Sequence, residues 1–387
     1  MWFFTSPRVV FGEDALEELL ELEGQRAFIV TDKVLMELGL VQKVQAVLEK
    51  AGFEIAYFDD VESDPSSSTC QAGRVAMEEF APDWIIAVGG GSVIDAAKAM
   101  WFLYERPDME IWSIFPDIKL GLRNKARLVA IPTTSGTGSD TTFATIITDS
   151  AEGRKIILAS REIVPDISIV DPSLVEGLPR DLTAMTGLDA ITHAIEAYVA
   201  EWCNDFSDGL ALHALRLAFK YLPICVADGT NMDAREHMHN AATLAGLAFG
   251  NSQVGIAHSM AHTMGALFHT PHGEGCGLFL PYAVEFNRSE VNDRYKDICQ
   301  HLNIPLSSDE EPGVILGTFL RKFIKELGRP TTIAELGIDK AAFDEKLARL
   351  VEFASEDSST LANPRHPEDA DFEKLFLAAY DGKAVDF

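Results

Sequence analysis

Eight of the ten histidines lie between His193 and His272, and the first 192 residues contain none. Asp189 and His193 are four residues apart, as are His258 and His262, and His269 and His272 follow closely. Side chains four apart share one helix face, so this spacing can bring a carboxylate and several imidazoles together. Such a donor set suits a borderline divalent ion such as Fe(II) or Zn(II), or a proton-transfer centre. A lone Asp/His pair at this spacing also serves as an ion pair or a cap, and spacing alone pairs His258 with His262. The chain has neither an HExxH motif nor a Gly-x-Ser-x-Gly elbow, which argues against zincin-type proteolysis and Ser-His-Asp hydrolysis.

A second chemistry resides in two glycine-bearing loops. Asp83-Trp84-Ile85-Ile86-Ala87-Val88 reads as a buried strand, Gly89-Gly90-Gly91-Ser92 as a turn, and Val93 onward as a helix. Glycines let a phosphate approach the backbone, where the amides and dipole of a helix start favour an anion. A tight turn that only lets the helix pack, with Ser92 as its cap, accounts for the same residues. Pro132-Thr133-Thr134-Ser135-Gly136-Thr137-Gly138-Ser139-Asp140-Thr141-Thr142 follows another strand and is dense in hydroxyls, suiting a ribose, a phosphate or a carboxamide. Both loops would stand on the carboxyl edge of one sheet, where open α/β sheets bind ligands.

The elements that position these residues divide the chain in two. Apolar runs at residues 27–31, 55–58 and 84–88 recur with the period of a βαβ unit, with helical spacing over 41–50 and 69–80 between them. Residues 128–131 and 166–170 continue the strands. Residues 145–149 and 155–158, joined by Ser150-Ala151-Glu152-Gly153, read as a hairpin added to that sheet. From Leu182 the spacing is helical throughout. The expected fold is therefore α/β + α: a Rossmann-like parallel-sheet domain over residues 1–179 and an all-helical domain over 180–387.

Composition narrows the function further. The 387 residues are 47% hydrophobic and 24% charged, a globular balance. With 32 basic and 60 acidic residues the net charge is −28; such a field repels phosphate backbones and anionic lipid, so neither nucleic acid nor membrane is an expected partner. The apolar opening Met1-Trp2-Phe3-Phe4 is too short, and lacks the basic flank, for a signal peptide. Five scattered cysteines without a close pair fit a reducing cytoplasm.

Taken together, these residues resemble the iron-containing (group III) alcohol dehydrogenases, a family in the same fold superfamily as glycerol dehydrogenase and dehydroquinate synthase. The resemblance runs through Val30-Thr31-Asp32-Lys33, Gly89 to Ser92 with Asp95 and Lys98, the 132–142 loop, Ile169-Val170-Asp171-Pro172, the Asp189/His193 helix, the His258 to Gly273 run and Asn363-Pro364-Arg365. It implies metal ligands at Asp189, His193, His258 and His272, overruling the His258/His262 pairing, and a proton relay at His262. It implies NAD contacts at Asp32, Gly90, Gly91, Ser92, Thr133, Thr134, Thr137, Thr142, Lys155 and Leu174, and a substrate-lining aromatic at Phe249. The implied cofactors are NAD and Fe(II), with Zn(II) or another divalent ion as alternatives, the dinucleotide lying in a cleft between domains and the assembly a homodimer or larger.

The implied reaction is hydride transfer between a small, neutral alcohol and its aldehyde or ketone. Asp140 replaces the family's usual Glu, Pro179-Arg180 its Pro-Pro, and Ser63-Asp64-Pro65-Ser66 its Pro-Asn-Pro-Thr; these departures bear on loop geometry and cofactor affinity rather than on the chemistry. A glycerol-type polyol dehydrogenase, a dehydroquinate-synthase-like lyase and a metal- or nucleotide-binding sensor are the competing functions. A sugar-phosphate substrate would call for Lys and Arg near the ligands, and residues 187–196 and 255–273 contain neither.

Overall fold

The computed structural model describes residues 3–151 and 155–387. Met1, Trp2 and residues 152–154, which include part of the expected hairpin turn, lie outside the described residues. The chain divides into two compact units, Met1–Gly177 and Leu178–Phe387; the expected boundary at Pro179 falls two residues later.

In the first unit the strands are β1 (Arg8–Phe11), β2 (Arg26–Val30), β3 (Glu54–Phe58), β4 (Trp84–Gly89), β5 (Arg127–Pro132), β6 (Ala144–Thr148), β7 (Lys155–Ala159) and β8 (Ile167–Val170). Six of them form a parallel sheet in the order β1-β8-β5-β4-β2-β3. The helices are α1 (Lys33–Glu37), α2 (Leu40–Lys50), α3 (Ser67–Phe80) and α4 (Gly91–Glu105). All six residues of β4 are buried, as expected of a strand covered on both faces. Successive side chains alternate between those faces. Ile85 and Ala87 thus join Met77, Ala97 and Met100 in one apolar cluster, while Ile86 and Val88 join Val41, Val44 and Leu48 in the other.

Two features depart from the sequence reading. β1 was not anticipated, because four residues without alternation carry little periodic signal; it pairs with β8, Arg8 opposite Ile167. The expected 145–158 hairpin exists but does not extend the sheet, whose edges are β1 and β3. β6 and β7 instead pair with each other, Ala144 opposite Ala159. They are pinned to α4 by Asp95, whose carboxylate accepts from Ile146 N (3.0 Å) and whose carbonyl accepts from Thr145 Oγ1 (2.8 Å).

The path of the chain places the ligand edge. β3 lies to one side of β2 and β4 to the other, so the direction of winding reverses at β2/β4, and ligands bind at the carboxyl ends of strands where this happens. Asp32 follows β2, Gly90 and Gly91 follow β4, and the 132–142 loop begins at the end of β5. That loop is held from beneath by the fully buried Lys98 of α4. Its Nζ donates to Ser139 Oγ (3.2 Å), Thr142 O (2.9 Å) and Ala144 O (2.8 Å). Burial pushes the Lys98 pKa down to about 8, with Asp95 and Asp140 pulling against it.

The second unit comprises α5 (Arg180–Val199), α6 (Asp205–Ala227), α7 (Met232–Phe249), α8 (Ile256–Phe268), α9 (His272–His301), α10 (Pro312–Glu326), α11 (Lys340–Glu356) and α12 (Asp369–Asp381), and no strand occurs among its described residues. α5, α6, α7 and α10 enclose one core with the later part of α9; α8, α11 and α12 enclose a second with its earlier part. α6 is long and apolar enough to cross a membrane by length and composition, and its Ala211, Ala214, Leu215, Ala218 and Leu222 lie in the first core.

Because two buried acceptors and one half-buried one depend on one Nζ, Lys98→Met should destabilise the first unit by about 2–4 kcal/mol, the cost of leaving such groups unpaired. Urea unfolding followed by tryptophan fluorescence measures this, Trp101 being on the same helix; an unchanged midpoint would show that the loop is held by other contacts.

Candidate metal centre and nucleotide loops

α5 presents Asp189, His193 and Glu196 on one buried face, at the i, i+4, i+7 spacing of a helix. α8 supplies His258 and His262, and His272 is the first residue of α9. Asp189, His193, His258 and His272 each offer a ligand atom within 4.8 Å of the others. Asp189 Oδ1 lies 3.9 Å from His193 Nε2, 3.7 Å from His258 Nε2 and 3.4 Å from His272 Nε2. Two ligands each about 2.0–2.2 Å from a shared ion stand at such separations. Asp189 Oδ1 and His258 Nε2 are buried without a hydrogen-bond partner, a costly condition that coordination would relieve. Burial opposes the charge of Asp189, yet His193 and His272 hold its pKa well below the usual carboxylate value. The donor set and its geometry fit a divalent cation.

Close packing makes this convergence possible. A Cβ on Gly273 would lie 2.3 Å from the Met185 carbonyl oxygen, so only glycine lets the start of α9 approach α5 and carry His272 to Asp189. The start of α8 is fixed amide by amide: Gly255 N and Ala257 N donate to the Glu196 carboxylate (2.9 and 2.7 Å), and Ile256 N donates to Asn363 Oδ1 (3.2 Å). Asn363 is in turn paired with Asn287. Glu196 also lies 2.5 Å from His258 Nδ1. This contact turns the ring so that Nε2 faces Asp189.

His262 stands apart from the four. Its ring stacks on His272, with centroids 5.2 Å apart, and meets His258 edge-on at 6.1 Å, while Nδ1 bonds to Asp357 at 2.8 Å. Phe249 stacks on His193 with centroids 4.1 Å apart. His269 ends α8 in a left-handed conformation and does not belong to the cluster.

In the first unit the two loops meet. Thr133 N donates to the Gly89 carbonyl (3.0 Å), and Cβ atoms on Gly90 and Gly91 would lie 3.5 Å from Thr134 Cγ2 and 2.8 Å from Thr137 Cγ2. Ser92 Oγ donates to the Ser63 carbonyl and Lys155 pairs with Asp64, so the unusual Ser63-Asp64 stretch touches two expected cofactor residues. Asp140, within that loop, is buried and accepts from Ser168 Oγ (2.6 Å). Asp32 caps α1, Oδ1 accepting from Leu35 N at 2.9 Å. Leu174 is fully buried in the core with Val88 and Ile131.

Sequence reasoning overlooked Glu196, Asn287, Asn363 as a cap, and Asp357. Glu196 was legible, being three residues beyond His193 on the same face. Asp357 lies 95 residues from His262, and no local spacing links them.

Comparison with known proteins agrees along the whole chain. Residues 6–172 match the family described as iron-containing alcohol dehydrogenase, and residues 183–380 match the C-terminal region of the Fe-containing alcohol dehydrogenase family. The chain is 42% identical to an NADPH-dependent butanol dehydrogenase of Clostridium saccharobutylicum over 100% of both proteins. It is 40% identical to the bifunctional aldehyde-alcohol dehydrogenase of Escherichia coli (strain K12), over 95% of this chain but 44% of that protein. The solved structure of an alcohol dehydrogenase from Oenococcus oeni superposes with a TM-score of 0.93 at 31% identity, covering 98% of this chain and 100% of that one. The chain belongs to the iron-containing alcohol dehydrogenase family, and it is an alcohol dehydrogenase.

Proposed function

We propose that Asp189, His193, His258 and His272 hold a divalent ion, Fe(II) by preference over Zn(II), in an NAD-linked dehydrogenase acting on a small, neutral alcohol. The observation that carries this is the buried carboxylate oxygen with three imidazole Nε2 atoms within 4 Å of it. When bound, the ion supplies Lewis acidity that favours loss of the alcohol proton in oxidation and polarises a carbonyl in reduction. Glu196 and Asn363 hold the ligands in place, Phe249 lines the apolar side of the pocket, and His262 carries the proton to and from solvent. The absence of Lys and Arg from residues 187–196 and 255–273 supports a neutral substrate, and the butanol in the name of the Clostridium relative is of that class. Five free cysteines support a cytoplasmic enzyme, and family resemblance supports a homodimer or larger.

On the cofactor side we assign Gly90, Gly91, Ser92, Thr133, Thr134, Thr137, Thr142, Lys155 and Leu174 to the dinucleotide, with Asp32 as selector. The Clostridium relative is named for NADPH, so preference cannot be taken over from it. Asp32 uses Oδ1 as a cap, and its other oxygen suits the ribose hydroxyls of NAD. Asp60 pairs beside it through a backbone bridge, and Lys33 is its neutralising partner. A 2′-phosphate, carrying roughly two charges, would meet this acidic edge unfavourably.

Two outcomes are expected. His272→Ala should lower bound metal at least about tenfold and abolish alcohol oxidation, with NAD affinity within about twofold; metal analysis and fluorescence titration read these, and full metal content in the variant would refute the ligand set. The wild type should favour NAD over NADP at least about tenfold in kcat/KM, about 1.4 kcal/mol. Asp32→Gly should relax this preference, since glycine retains most of the cap's stability. Equal use of NADP by the wild type would overturn the role of Asp32.

A further inference from the structure

The two histidines of α8 are anchored alike. His258 Nδ1 meets the Glu196 carboxylate and His262 Nδ1 meets that of Asp357, so one turn of helix carries two rings whose Nδ1 atoms point at acids. Glu196 serves a proposed metal ligand, whereas Asp357 serves a ring outside the ligand set.

Asp357 is held at both oxygens. Oδ1 accepts from Ser359 N (2.8 Å), capping the short turn that follows α11, and Oδ2 lies 2.8 Å from His262 Nδ1. Its side chain is 11% exposed, and its place is set by α11, whose Phe343, Leu350 and Ala354 pack with Met260 and Met264 of α8. Burial works against its charge, but His262 and the Ser359 amide hold its pKa down at about 2. With Oδ1 taken by the Ser359 amide, Oδ2 is the oxygen left to accept from His262.

We propose that Asp357 is a positioning residue that fixes His262 as the Nδ1–H tautomer, so that Nε2 presents a lone pair to the alcohol proton. This rests on the reading of His262 as the proton relay. In oxidation the O–H proton passes to Nε2 and on to solvent, while the carbinol carbon gives its hydride to nicotinamide C4; the alcohol is oxidised and NAD reduced. Asp357 stays ionised throughout, orienting the ring and favouring its transient positive charge, as a carboxylate behind a catalytic histidine does elsewhere.

Asp357→Asn isolates this role. Asparagine caps as well as aspartate, and with Oδ1 committed to Ser359 N its Nδ2 faces His262, donating to Nδ1 and forcing the proton to Nε2. The experiment compares wild type, Asp357→Asn, His262→Gln and the double variant, each loaded with metal, and reads kcat, metal content and NAD affinity. Long-range ¹H–¹⁵N correlation of histidine-labelled protein reports the tautomer independently of turnover.

The expected result is Nδ1–H in the wild type and Nε2–H in Asp357→Asn. kcat should fall at least about tenfold with metal content and NAD affinity unchanged, and the double variant should be no slower than His262→Gln, the non-additivity of groups acting as a unit. If Asp357→Asn misfolds, Asp357→Ser keeps a capping hydroxyl while withdrawing from His262, and the same loss of kcat is expected. An Nε2–H wild type, a kcat within twofold of wild type in the folded variant, or multiplying effects in the double variant would overturn the proposal. Wild-type turnover by His262→Gln would instead remove the relay itself, while the tautomer spectrum still tests the Asp357 bond separately.

Discussion

A carboxylate that is 2% exposed, as Asp189 is, costs several kcal/mol unless cationic or coordinating partners surround it. In the helical unit those partners come from three helices, and each is brought in by backbone approach rather than by side-chain reach. α5 carries Asp189 and His193 itself; α9 comes close enough only because residue 273 is glycine; α8 is seated by acceptors for the amides of Gly255, Ile256 and Ala257. The apolar cores on either side of α9 set these helices, and the polar centre lies where they converge.

This dependence explains why carboxylates beyond the four proposed ligands matter. Glu196 simultaneously caps α8 and holds the His258 ring at Nδ1. Asn363, from a motif far along the chain, completes the same cap, and Arg365 beside it donates to the Phe286 and Phe387 carbonyls. Orientation of the imidazoles is thus built into the fold, which lowers the cost of assembling the proposed centre, whose ligands must be deprotonated and aligned.

The parallel sheet was legible because buried strands such as Trp84 to Val88 are continuous apolar runs separated by helical spacing, and the proposed ligands were legible through Asp189/His193 and the histidine run. What remained hidden has a common cause. Spacing reports only neighbours on one element, so it paired His258 with His262 although the structure clusters His258 with His272, and it had no means of connecting His262 with Asp357. β1 was too short to show a period, and the spacing of a hairpin does not say whether its strands also pair with a larger sheet. The Asn363-Pro364-Arg365 motif was visible, but its role as a cap on α8 depends on contacts made 107 residues away.

The coordination sphere offers the most direct test. X-ray absorption of the iron-loaded, oxygen-free protein should show a first shell of nitrogen and oxygen at about 2.0–2.2 Å, with the outer scattering of three imidazoles. Cys276 Sγ lies 3.5 Å from His272 Nε2, and no sulfur is expected in that shell. A sulfur scatterer at about 2.3 Å, or fewer imidazoles than three, would contradict the assignment of Asp189, His193, His258 and His272 as the metal site.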